Sequence, residues 1–203
     1  MYATNAFLKI PAQPPCTLVL DPPLSDEEFE TLSEKTEFAI VERTNEGTIV
    51  VNELSGWMTS SASSELSFQL ENWSKQHQQG VALPHCGFFL PDGSCLSPDL
   101  AYVTAKQRDA LTREERDHFL RFAPVFVIEL RSQSDKLADM EKKMEAWIAN
   151  GVELGWLVDP YAKEVHIYAP GVDRRVETGS SVAGSGPVDG FVLDLTEVWS
   201  CYD

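Results

Sequence analysis

The spacing of apolar residues along the chain alternates between helical and strand periods, and turn signals separate the segments. Ser25-Asp26-Glu27-Glu28 has the S-x-x-E form of a capping box and opens a helix to about Glu37, with Leu24 as its staple and Phe29 and Leu32 facing inward. Residues 38–42 and 48–52 read as strands around the turn Asn45-Glu46-Gly47. Over residues 63–77 Leu66, Leu70 and Trp73 recur at helical spacing and His77 continues the stripe, which predicts an amphipathic helix. Residues 87–90, the turn Pro91-Asp92-Gly93 and residues 99–103 predict a further hairpin, and residues 106–121 are helical in composition.

Residues 124–130 are nearly all apolar, as expected of a strand buried on both faces, and Glu129 is the anomaly in that run. A helix follows from about Ser134, its expected N-cap, to Asn150, with Gly151 as the stop and Leu137, Met140, Met144, Trp147 and Ile148 on one face. Residues 154–158 and 164–168 form a strand pair around Asp159-Pro160, and residues 176–195 form a Gly-rich tail with weak strand signals. This order predicts an α/β (α+β) plan with a central mixed β-sheet flanked by helices. A Pro-rich arm, residues 1–23, precedes one expected domain, residues 24–203.

Composition fits that plan, since 43% apolar and 24% charged residues over 203 positions suit a soluble domain with its own core. There is no long apolar run, no basic n-region and no continuous h-region, so neither a membrane span nor a signal peptide is expected, and the setting is read as cytoplasmic. The four cysteines lack C-x-x-C spacing and the four histidines lack H-x-x-x-H pairing, which argues against zinc. Cys86 and Cys95, on either side of the Pro91 turn, read as reduced thiols.

The net charge of −16 weighs against a large nucleic-acid footprint, because backbone binding relies on Lys and Arg displacing counterions. The charge is uneven, however. Residues 106–143 carry 9 of the 16 basic side chains, against 8 acidic ones. A small anion-binding footprint and a solvated mixed-charge helix both fit that count.

A carboxylate on a buried strand must be paired, hydrogen-bonded or bound to a cation. Asp99 and Glu129 both stand in such contexts, and an Asp–Glu oxygen pair suits Mg²⁺ or Mn²⁺ in phosphodiester cleavage, provided the two strands are neighbours. The transition state also needs a cation. Arg131 follows Glu129 by two and so projects to the same face of the strand. Lys143 lies at the flank of its helix's apolar stripe and can bend back toward the strand end, whereas Lys142 points to solvent. The competing reading is a structural ion pair of Glu129 with Arg131 or Lys143. His85 and His118 are candidate bases that read as loop or helix-surface residues.

Five segments together carry a resemblance: VERTNEGTIVVN (41–52), FFLPDGSCLSPDLAYV (88–103), VIELRSQSD (127–135), EKKMEAWIANGVELGWLVDP (141–160) and GFVLDL (190–195). From about Leu24 to Trp199 the chain resembles the Uma-type restriction endonuclease family, common in cyanobacteria, which has the PD-(D/E)XK nuclease fold. The resemblance implies that Pro98-Asp99 is the PD motif, that Asp99 and Glu129 are metal ligands, and that the backbone carbonyl of Leu130 completes the sphere. Arg131 stands where the superfamily has Lys; it stays protonated and is a poor proton acceptor. Lys143 matches the family's helix lysine and substitutes for the missing one, and Glu42 matches a further carboxylate. The implied activity is Mg²⁺- or Mn²⁺-dependent endonucleolytic cleavage of DNA. A further reading, drawn from the charge, is a nuclease that works only as a homodimer or beside a DNA-recognition partner, which accounts for the missing basic surface. The alternative is an inactive nuclease-fold scaffold that binds a basic protein partner.

Overall fold

The computed structural model describes residues 15–203 except 38, 78 and 79. In chain order the elements are β1 (Cys16–Leu18), α1 (Asp26–Glu34), β2 (Ile40–Arg43), β3 (Ile49–Asn52), α2 (Trp57–His77), β4 (Gly80–Pro84), β5 (Phe88–Phe89), β6 (Cys95–Leu96), β7 (Leu100–Thr104) and α3 (Ala105–Ala110). Then come β8 (Phe126–Leu130), α4 (Leu137–Ala149), β9 (Leu154–Asp159), β10 (Glu164–Tyr168), β11 (Arg175–Thr178), β12 (Ser181–Ala183), β13 (Val192–Asp194) and α5 (Leu195–Ser200).

A six-stranded mixed sheet of order β11-β10-β9-β8-β7-β4 forms the centre, with β8 and β9 parallel and the other neighbours antiparallel. All five residues of β8 are buried, as the apolar run predicted. One face of this sheet packs Leu100, Tyr102, Phe126 and Ile128 against Leu66, Leu70 and Trp73 of α2 and against α5. The other face packs Ala101, Val103 and Val127 against Met144 and Trp147 of α4. A five-stranded sheet, β1-β3-β2-β6-β5, closes over Phe29 of α1. The predicted capping box at Ser25 and Glu28 is present.

Several elements differ from the sequence expectation. The hairpin at Pro91 joins β5 to β6 alone, and residues 100–104 cross to the central sheet, where β4, which the sequence reading did not predict, flanks them. The expected helix over residues 106–121 shrinks to α3 and a 3₁₀ turn at Glu115–Asp117. The cause is a second start signal: Thr112 bonds to Glu115 as Thr104 bonds to Gln107, so the helical composition breaks into two short pieces at Leu111. Ser134 is not the N-cap of α4, which begins after Lys136; Ser132 and Ser134 bond to each other instead, and the Ser132 N–H donates to Asp135. Helix α2 begins at Trp57, six residues before Ser63. Residues 16–18 of the predicted arm pair with β3, while residues 1–14, and Phe38 at the start of the predicted strand, lie outside the described residues.

Candidate functional site

Strand register creates the site. Leu100 lies opposite Ile128 on the antiparallel β7–β8 ladder, so the next step places Asp99 opposite Glu129 on the face that α4 covers. The Leu130 N–H donates to Asp99 Oδ2 at 2.7 Å, fixing that carboxylate at the carboxyl end of β8. Lys143 reaches down from the second turn of α4. Its Nζ lies 2.9 Å from Glu129 Oε1, 3.0 Å from Glu129 Oε2, 2.9 Å from Glu42 Oε1 and 3.1 Å from the Ser97 carbonyl oxygen.

Glu42 comes from β2 in the other sheet and is held by the Ser97 N–H at 2.8 Å and the Asn52 amide at 3.1 Å. Trp147, one turn after Lys143, donates its indole N–H to Glu129 Oε1 at 2.8 Å. Four predicted residues, Glu42, Asp99, Glu129 and Lys143, therefore meet at one place. Arg131 stands next to them, but its guanidinium turns to Asp159 Oδ2 at 2.8 Å and lies over the Tyr161 ring. The sequence reading missed Ser97, Asn52 and Asp159, and took Trp147 as core alone.

Burial pushes the Glu129 carboxyl up to about 8 against the lowering effect of the Lys143 charge, with Asp99 and Glu42 adding smaller repulsions. Burial also raises Asp99, against the Leu130 N–H and the Lys143 charge. Burial opposes the ammonium too, but the charges of Glu129 and Glu42 outweigh it and hold Lys143 well above the usual lysine range. Lys143 is thus a fixed positive charge. A cavity of about 240 Å³ opens beside Ser97, lined also by His85, Val41 and Glu34. His85 adopts φ +50° just past β4, and its N–H donates to the Asp99 carbonyl at 3.4 Å.

His118 meets Glu30 at 3.2 Å, and with Glu34 these residues bring ligand atoms within 4.8 Å of one another. Glu30 Oε1 already accepts the Phe119 N–H at 2.7 Å, so this second group ties a loop to α1. All four cysteines are free.

The Uma2 family, described as "Putative restriction endonuclease", matches residues 26–196, a span that contains Glu42, Asp99, Glu129 and Lys143. The chain belongs to the Uma2 family. Among solved structures, this Uma2 chain resembles "a putative nuclease belonging to DUF820 from Anabaena variabilis ATCC 29413", with a TM-score of 0.75 and 20% identity over 88% of this chain and 99% of that one. The two share a fold, and the α/β plan expected from the sequence is the one observed. A DrdV–DNA complex aligns at a TM-score of 0.36 and 13% identity over 59% of this chain and 12% of that chain, too little to bear on this Uma2 protein. No curated protein matches it. No helix among the described residues is long and apolar enough to cross a membrane.

Restriction-endonuclease-like proteins generally use a divalent metal, and the donor set of the Uma2 site fits one. Glu42, Asp99 and Glu129 carry carboxylate oxygens, the hard donors that such an ion takes. Three carboxylates against one ammonium leave a formal charge of −2 when all are ionised, which a divalent cation neutralises.

Proposed function

We propose that this protein is a Mg²⁺- or Mn²⁺-dependent endonuclease that hydrolyses phosphodiester bonds in DNA, with Asp99 and Glu129 as metal ligands. The observation that carries the reading is the register that sets Asp99 opposite Glu129, together with the ammonium that bridges Glu129 to Glu42. A bound divalent cation would activate water and stabilise charge on the phosphate. The Leu130 carbonyl, on the residue whose N–H meets Asp99, is the third oxygen assigned to it. Lys143, held protonated, orients the phosphate by charge and is not the general base. Glu42 positions Lys143. Arg131, pinned by Asp159 at the carboxyl ends of β8 and β9, is assigned a phosphate contact.

The charge of −16 weighs against a broad basic surface, so the chain is proposed to cut DNA weakly by itself and more strongly beside a DNA-recognition partner that adds basic surface, with a homodimer as the proposed means of pairing two sites. Four free thiols suit a cytoplasmic setting. A second reading, a catalytically inert scaffold for a basic protein, draws on the same cluster, because Lys143 already meets two carboxylates and a carbonyl. Incubation of supercoiled plasmid with Mg²⁺, Mn²⁺ or EDTA separates the two. The nuclease reading expects nicking by the wild type in either metal, none in EDTA, and none by a folded Asp99→Ala variant. A folded wild type that leaves the plasmid intact in both metals, or an Asp99→Ala variant that cuts equally well, overturns it.

A further inference from the structure

The indoles of this chain are partnered in different ways, and the difference picks out one of them. Among the described residues, Trp73 and Trp156 bury their Nε1 with no hydrogen-bond partner. Trp57 is 87% exposed, and Trp199 donates to the Gly179 carbonyl. Trp147 is fully buried and gives its N–H to a carboxylate, Glu129 Oε1 at 2.8 Å. The core tolerates an unpaired indole twice, so filling space does not by itself account for this bond. Trp147 lies four residues after Lys143, and this spacing sends both side chains from one face of α4 to the same acid. Phe88 holds the indole ring edge-on at 6.0 Å, which fixes the direction of the N–H.

The two donors act differently on Glu129. Lys143 donates to Oε2 at 3.0 Å and lies 2.9 Å from Oε1 as an ion pair. Trp147 donates to Oε1 alone. Each oxygen therefore has one hydrogen-bond donor, and the two donors together fix the plane of the carboxylate while leaving it further lone pairs. We propose that Trp147 is a positioning residue that fixes the orientation in which the Glu129 carboxylate meets a divalent cation. This rests on the metal-centre reading above and adds a residue to it. Removing a hydrogen-bond partner of a ligating carboxylate typically weakens metal binding 10- to 100-fold.

The test is Mn²⁺ binding by calorimetry to the wild type, Trp147→Phe and Asp99→Asn, each checked for folding by circular dichroism. Trp147→Phe keeps an aromatic ring and loses the donor, and its Mn²⁺ affinity is expected to fall about tenfold or more. A folded Trp147→Phe within twofold of wild type, in a protein whose Asp99→Asn variant loses the metal, overturns the positioning role and leaves the metal centre standing. A wild type that binds no Mn²⁺ overturns both. The intact protein provides a readout that survives if Trp147→Phe does not fold. With tryptophan ¹⁵N-labelled, one buried indole N–H resonance is expected to shift with Mg²⁺ and to broaden first with Mn²⁺. Mg²⁺ and Mn²⁺ titrations that leave every indole resonance unmoved contradict the proposal.

Discussion

Lys143→Met removes the one ammonium that Glu42 and Glu129 share. Glu129, pushed up to about 8 by burial and its acidic neighbours, is already largely neutral at pH 7 without metal and adds little to the cost. Glu42, 5% exposed, is then left as an uncompensated charge in the interior. Breaking a buried ion pair on one side typically costs about 3–5 kcal/mol. The variant should therefore unfold about 6–20 °C below wild type at pH 7. Urea and thermal denaturation in EDTA measure this. Lys143→Met combined with Glu42→Gln should regain most of the loss, because the stranded charge is gone. A gap below about 1 kcal/mol at pH 7 would mean that Lys143 does not hold the cluster together.

The raised Glu129 makes two further predictions. Metal must displace its proton, so Mn²⁺ affinity should climb about tenfold per pH unit from pH 6 to 8 and level off above that, with about one proton released at pH 7. Calorimetry in buffers of different ionisation heat reads that proton, and Glu129→Gln should abolish it. Without metal, the folded chain binds this proton more tightly than the unfolded chain does, so Glu129 should make the fold lose stability as pH rises from about 4.5 to about 8. Denaturant titrations in EDTA across that window should show the decline, and Glu129→Gln should flatten it.

Local pattern made much of this site legible. An all-apolar run interrupted by Glu129 marks a buried charge, and the flank position of Lys143 on its helix marks a side chain able to turn inward. Both were visible because helix and strand periods fix which way neighbouring residues point. What joins them was not visible. Glu42 reaches Lys143 from a different sheet, and the β7–β8 register that sets Asp99 opposite Glu129 depends on pairing between distant segments. Arg131 shows the limit of parity: the face was readable, but its partner Asp159 belongs to the neighbouring parallel strand β9, 28 residues away. Trp147 read as core because its place on the apolar face says nothing about where the indole N–H points. The helix over residues 106–121 was overextended because helical composition counts for less than two closely spaced capping signals at Thr104 and Thr112.

The most direct test of the metal centre is anomalous scattering from crystals soaked in Mn²⁺. The account predicts a peak between the Asp99 and Glu129 carboxylates, with the Leu130 carbonyl in its sphere. A peak only at Glu30, Glu34 and His118, or none in crystals that bind Mn²⁺ in solution, would contradict it.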